Sequence, residues 1–246
     1  MKLNTVTKKY QVTTTVISSK DSQNTYEIKR EFDSLVSGKK MLIITLYPTI
    51  DKHNAHALDS SWMHIQKHLP DVGIGTVRMI YLFSDIWESK VLASKLEYDE
   101  DNISYIESVL KDKVNYDGVV VAWGTSMEKN KVVSKTKLAI LNLLKKYNVS
   151  NVYQLAAEEL PVGIESYSAF HPLYLGLRSR GGWCLIDYDT DNAIKYLQTN
   201  LSDANKTTEK KKRGRPKKKS EVNAGNEATV TNVNDTNSET EEGDEE

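Results

Sequence analysis

Apolar positions fall into two rhythms along this chain. In the first forty residues, Tyr10 to Ser18 is rich in Val and Thr, and Thr25 to Phe32 alternates apolar with charged residues. Two strands joined through the polar run Ser18 to Asn24 give that pattern, a β hairpin. After Gly38-Lys39-Lys40 the rhythm changes. Met41 to Leu46, Val77 to Phe83 and Gly118 to Trp123 are mostly apolar runs, as strands buried on both faces require, and Asn151 to Leu155 reads as a fourth strand. Between them lie helical spacings. Leu58, Trp62, Ile65 and Leu69 form one stripe, stopped by Pro70, and Ile103, Ile106, Val109 and Leu110 form another. Val133 to Tyr147 carries Val133, Ile140, Leu141 and Leu144, with Lys137 interrupting the stripe. Strands alternating with helices predict right-handed crossovers, hence an α/β fold of three layers, Rossmann-like, with a mostly parallel sheet and an N-terminal hairpin. Beyond Leu160-Pro161 the regularity lapses into a loop around His171. A short strand, Trp183 to Tyr188, and a short helix, Asp191 to Leu197, close a domain spanning residues 1–201.

Residues 202–246 change this picture. They hold almost no large apolar side chains, so they cannot bury enough surface to offset their chain entropy, and a disordered tail is expected. The overall charge of −1 conceals an asymmetry. Residues 206–219 carry nine Lys or Arg and one acid, residues 220–246 carry nine acids and no base, and residues 1–205 hold 24 of each sign. Charge blocks of this kind mark interaction tails. A single cysteine, Cys184, rules out an intrachain disulfide and fits a reducing compartment. The absence of a basic and apolar leader, and of any run near eighteen apolar residues, predicts neither secretion nor a membrane span.

The basic arm, residues 210–219, reads Lys211-Lys212-Arg213-Gly214-Arg215-Pro216-Lys217-Lys218-Lys219 after Lys210. It resembles the AT-hook, a motif for the minor groove of A·T-rich DNA, whose Arg-Gly-Arg-Pro core is present without substitution. The chemistry fits. Narrow A·T grooves concentrate negative potential and attract inserted Arg. Gly214 lets the backbone approach the groove floor. Pro216 keeps the arm extended. The lysines neutralise phosphates and release counterions. A nucleoid-associated protein of the bacterial cytoplasm, or of the host cytoplasm if phage-encoded, is the expectation.

Four segments of the body carry a second resemblance: Leu46-Tyr47-Pro48-Thr49, Tyr81-Leu82-Phe83, Ala122-Trp123-Gly124 and His171-Pro172-Leu173-Tyr174-Leu175. In this order, over about residues 25–188, they resemble a bacterial and phage family known as domain of unknown function 1643. Tyr47 and Tyr81 stand where that family usually has Asn. Tyr47, Ser84-Asp85 and Trp123-Gly124 lie at or just past the ends of expected strands, where open α/β sheets bind ligands. Pocket candidates are therefore Tyr47, Pro48, Trp123, Gly124, Pro172 and Tyr174, with Asp51, Asp85 and His171 as candidate catalytic groups. The arrangement is also distantly similar to the uracil-DNA glycosylase superfamily. That similarity implies Pro48 and Asp51 in an early loop and His171-Pro172 in a late loop contacting an extruded base. Two functions stay open: a DNA-tethered binding protein without catalysis, and an enzyme acting on DNA bases or nucleotides. Either implies DNA as partner, with a nucleobase or nucleotide as the possible ligand.

No cofactor is expected. Gly73-Ile74-Gly75 precedes a strand and is not a dinucleotide fingerprint, and no phosphate-loop pattern occurs. No metal site is expected either. His64 and His68 share a helix face, but they fall about 100° from the apolar stripe, as surface residues do.

Overall fold

A computed structural model of the chain describes residues 4–213 except 36, 88–91, 128, 158–164 and 166, with side chains described as far as residue 202. Four strands form a parallel centre: β3 (Lys39–Thr45), β4 (Ile74–Tyr81), β5 (Gly118–Val121) and β6 (Val152–Ala157), adjacent in the order β4-β3-β5-β6. Their side chains alternate between two cores. Met41 and Ile43 face one side, and Leu42 and Ile44 the other. Both sets are apolar because both faces are covered.

The helices supply the covers. α1 (Ser60–Val72) and α4 (Pro172–Arg178) pack on the first face through Trp62, Ile65, Leu69 and Leu175. α2 (Glu100–Lys111), α3 (Lys131–Lys146) and α5 (Thr190–Arg213) pack on the second through Ile106, Leu110, Ile140, Leu141, Ile194 and Leu197. This is the expected three-layer arrangement. The hairpin is also present: β1 (Val12–Ser18) pairs antiparallel with β2 (Thr25–Phe32).

The sheet is mixed, which corrects the expectation of a mostly parallel one. Its seven strands run β1-β2-β4-β3-β5-β6-β7, with β7 at Trp183–Asp187. β2 is antiparallel to β4 and β7 antiparallel to β6. The reason for β7 lies in its connection. Ala157, the last residue of β6, pairs with Trp183, the first of β7, so β6 ends and β7 begins at the same end of the sheet, as antiparallel neighbours do.

Three helices depart from their expected limits. α1 runs through Pro70, whose ring disturbs only the last turn, and ends at Gly73, which takes φ 66 and bonds back to Leu69. α4, expected as loop, has seven residues, too few for a periodic signal, and starts on Pro172 with His171 as its cap. α5 extends past residue 201 to Arg213. The sequence there offers no Gly or Pro before Gly214, and its Lys and Glu residues favour helix. Backbone at Lys210 to Arg213 thus stands in α5. Gly214 to Lys219 of the basic arm, and the acidic end 220–246, lie outside the described residues.

Candidate functional site: a cleft at the ends of the parallel strands

From β3 the chain crosses to β4 on one side, then passes back over β3 to β5 on the other. At such a reversal the connections diverge and leave a crevice beyond the carboxyl ends of the strands. Here it is a cleft of about 510 Å³, a size suited to a small organic ligand. Thr45 ends β3 and Leu46, Tyr47 and Thr49 follow it along one wall, and Met79 and Tyr81 come from β4. Leu58, Asp59, Ser60, Ser61 and Met63 come from the start of α1, and Ser126, His171 and Leu173 close the opposite side.

His171 is set by its place at the start of α4. Its Nδ1 accepts a hydrogen bond from the Leu173 backbone N–H at 3.3 Å. Burial pushes its pKa down to about 4, against the opposing pull of the Asp59 carboxylate. The ring is therefore neutral near pH 7. With Nδ1 occupied as an acceptor, the proton resides on Nε2. His171 offers the cleft an uncharged N–H donor.

The loop bearing His171 is tied to the sheet at several points. Ala169, at φ 50, donates its N–H to Gln154 Oε1 at 2.7 Å and accepts from Gly124 N–H at 2.7 Å. Lys137 Nζ donates to Gly124 O at 2.8 Å. Gln154 and Lys137 are both buried, so these polar contacts form out of water. Gly124 itself sits at φ 72, and a Cβ there would come within 3.1 Å of His171 Cβ. A Gly124→Val variant is expected to lose about 1–3 kcal/mol of stability and to displace the His171 loop. Chemical denaturation and the imidazole NMR shifts check this. A variant with parental stability and unmoved His171 resonances would refute the tight approach.

Asp59 is the carboxylate that the fold brings to this cleft. It caps α1, with Oδ1 accepting from Trp62 N–H at 2.7 Å and Oδ2 from Thr49 Oγ1 at 2.5 Å. Arg30 lies buried behind it. Its Nη2 donates to Ala55 O at 3.1 Å and Ala57 O at 2.5 Å, and its guanidinium stands 4.4 Å from the Trp62 ring centre. Burial lowers the Arg30 pKa while the Asp59 charge raises it. Burial also raises that of Tyr81, which stays a phenol. The segment before α1 is thereby pinned from below by one cation.

The candidates named from sequence divide. Tyr47 and His171 line the cleft, and Gly124 backs His171. Pro48 is buried beside it, its carbonyl accepting from Trp87 N–H at 3.0 Å. Pro172 is buried at the first turn of α4, and Tyr174 points outward from that helix. Trp123 turns to the other core, edge-on to Tyr188 at 6.5 Å. Asp51 is outside the lining, where Oδ1 accepts from His53 and Asn54 N–H at 2.9 and 2.8 Å. Asp85 is exposed at the end of β4 and bonded by Asn24 Nδ2 at 3.0 Å. Partial desolvation, then the Asp99 charge, raises its pKa. Asp59 had a legible signal, an Asp immediately before a helical apolar stripe. It pointed to a cap and not to a pocket.

His64 and His68 are not solvated surface residues. A Cβ on Gly176 of α4 would lie 2.1 Å from the His64 ring, so the two helices meet there closely. His68 is buried, stacked on Trp183 at 4.4 Å, with Nδ1 2.7 Å from Asp71 Oδ2. The wheel argument allowed α1 one packed face, but α4 and β7 cover a second. Among the described residues no cluster of three or more His, Cys, Asp or Glu could hold a metal ion. No helix among them is long and apolar enough to cross a membrane.

Neither the curated proteins nor the solved structures include a match to this chain. One family model does match, over residues 26–173, a span that begins in β2 and ends three residues past Phe170, inside the His171 motif. The matched span contains the parallel centre, the cleft walls and His171, and on this match the chain belongs to the family described as protein of unknown function (DUF1643).

Proposed function

We propose that this is a DNA-associated protein whose α/β domain takes a single nucleobase into the cleft beside His171, while the basic arm around Arg213-Gly214-Arg215-Pro216 tethers it to A·T-rich duplex. The observation that carries the reading is the neutral His171, with its Nδ1 occupied and its Nε2–H free to meet a ring carbonyl. Thr49, Ser60, Ser61 and Ser126 add hydroxyl groups for the remaining edge of a base, and Tyr47 and Met63 add apolar surface. A base must leave the stack to reach such a site. The tether supplies affinity that one base cannot.

Binding without catalysis fits the cleft better than hydrolysis. Both carboxylate oxygens of Asp59 already accept hydrogen bonds from the protein, and Asp51 and Asp85 lie elsewhere. The enzyme reading keeps one observation in its favour: Asp59 and His171 line one cavity, as an acid–base pair acting on a glycosidic bond requires.

The full chain tests both. Wild type is compared with His171→Ala and with the double variant Arg213→Ala, Arg215→Ala for binding to A·T-rich duplex and to free thymidine, and for base release from uracil- and hydroxymethyluracil-containing DNA. The arm variant is expected to lose A·T preference and to lower the salt slope by about 2. His171→Ala should keep duplex binding but weaken thymidine by about threefold to tenfold. Base release that vanishes in His171→Ala would replace the binding reading with the enzyme. Unchanged thymidine affinity and no release would remove the base from the cleft altogether.

A further inference from the structure

α4 has a second, outward surface that the cleft does not use. Its inner side is Leu175, buried in the core, and Gly176, pressed on His64 of α1. At 100° per residue, Tyr174 and Arg178 both fall on the side opposite Gly176. There they form a column. Phe170 and Tyr174 stack with centroids 5.6 Å apart and planes 9° from parallel, and the Arg178 guanidinium stands 5.3 Å from the Tyr174 ring centre. Tyr174 is 42% exposed and Leu177 72%. From Ser168 to Trp183 there is no acidic residue, while Arg178 and Arg180 are both exposed.

A cation above a stacked aromatic pair, left open to solvent, is an unusual way to end a short helix. Apolar area of this kind on an exposed face marks an interaction surface. Its chemistry selects the partner. An aromatic face accepts any base by stacking, and arginines beside it meet the phosphates on either side, which is how single-stranded nucleic acid is bound without sequence readout. The position is also right. Tyr174 directly follows Leu173, which lines the cleft, so the outer face of α4 begins at the cleft rim.

We infer that the outer face of α4 is a platform for the nucleotide next to the one in the cleft, its base taking the place of the Arg178 guanidinium over the Tyr174 ring, and Arg178, released from the ring, meeting the phosphate together with Arg180. The inference rests on the reading of the cleft as a base site, and it adds that the bound strand is locally unpaired over at least two nucleotides.

The test uses the full chain and an eight-nucleotide oligothymidylate carrying one 5-iododeoxyuridine, read by anisotropy and by photocrosslinking with mass-spectrometric mapping. The expected result is a crosslink at Tyr174 or Phe170, about tenfold weaker binding for Tyr174→Ala, recovery in Tyr174→Phe, and a salt slope lower by about 1 for Arg178→Glu. Tyr174 is exposed, so these changes leave folding intact, which thermal melting verifies. Crosslinks confined to the basic arm, with unchanged affinity in Tyr174→Ala, would overturn the platform. If His171→Ala still weakens thymidine in that case, the cleft reading stands alone. Conversely, a Tyr174 crosslink together with thymidine binding indifferent to His171→Ala would keep a stacking surface and remove the base from the cleft. Self-association abolished by Tyr174→Ala, without any crosslink, would assign the face to a second copy of the chain and overturn the proposal.

Discussion

Trp62→Ala is expected to cost about 3–5 kcal/mol of folding stability. The side chain is completely buried between α1 and the sheet, among Ile65, Tyr81 and Leu175. Its removal leaves a cavity and also uncovers Arg30, whose guanidinium rests on the indole 4.4 Å from the ring centre. A buried cation deprived of its aromatic partner loses roughly a further 1–2 kcal/mol of attraction. The consequence reaches the cleft, because Arg30 holds the carbonyls of Ala55 and Ala57 just before Asp59. Urea titration measures the first effect. Thymidine affinity of the surviving folded fraction measures the second, and Trp62→Phe should recover a large part of both. A loss below about 1 kcal/mol would mean that the site collapses freely around the missing ring.

Glu27→Ala should be comparably damaging, by about 3–5 kcal/mol, for an electrostatic reason. Glu27 is buried on β2. It accepts from Arg78 Nε at 2.7 Å, Arg78 Nη2 at 2.8 Å and Tyr105 Oη at 2.7 Å. The bidentate pair raises the Arg78 pKa, and even without it the guanidinium stays charged, because an arginine side chain does not deprotonate near neutral pH. The variant strands that charge against β2 and α2 with no counter-ion. The double replacement Glu27→Leu, Arg78→Met removes both charges and should restore most of the loss. If the single change costs no more than the double, the ion pair contributes packing only.

Sequence reasoning reached the parallel centre because burial on both faces leaves continuous apolar runs, and Met41 to Leu46 has no other explanation in a chain of this kind. It could not give the direction of the flanking strands. Trp183 to Asp187 has the same composition whether it runs with β6 or against it, and only the pairing of Ala157 with Trp183 decides. Lys137 was visible as a break in the α3 stripe. Its meaning required knowing that its ammonium reaches the carbonyl of Gly124, thirteen residues earlier. Sequence reasoning named Asp51 and passed over Asp59. What separates them is that Asp51 turns its oxygen to its own loop, while Asp59 starts the helix that forms the cleft wall. His171 was legible through the resemblance carried by His171-Pro172-Leu173-Tyr174-Leu175, whereas its role as a helix cap was not, because the seven residues of α4 are too few for a periodic signal.

The placement of β2 has a consequence for how the chain assembles as it is made. β1 and β2 are made before the other strands of the sheet and can close on one another as a hairpin, yet the strand that anchors β2 to the rest of the sheet is β4, not β3. Between Phe32 and the end of β4 at Tyr81 lie 49 residues of synthesis, roughly 2–10 s at common elongation rates. During that interval the inner edge of β2, with Glu27 and Arg30 on it, has no partner. Its alternation of charged and apolar residues keeps the waiting edge soluble, and the same charges find Arg78 and Trp62 only when the later strand and helix arrive. The N-terminal strands are therefore made before β3 but join the sheet only after it, when β4 arrives.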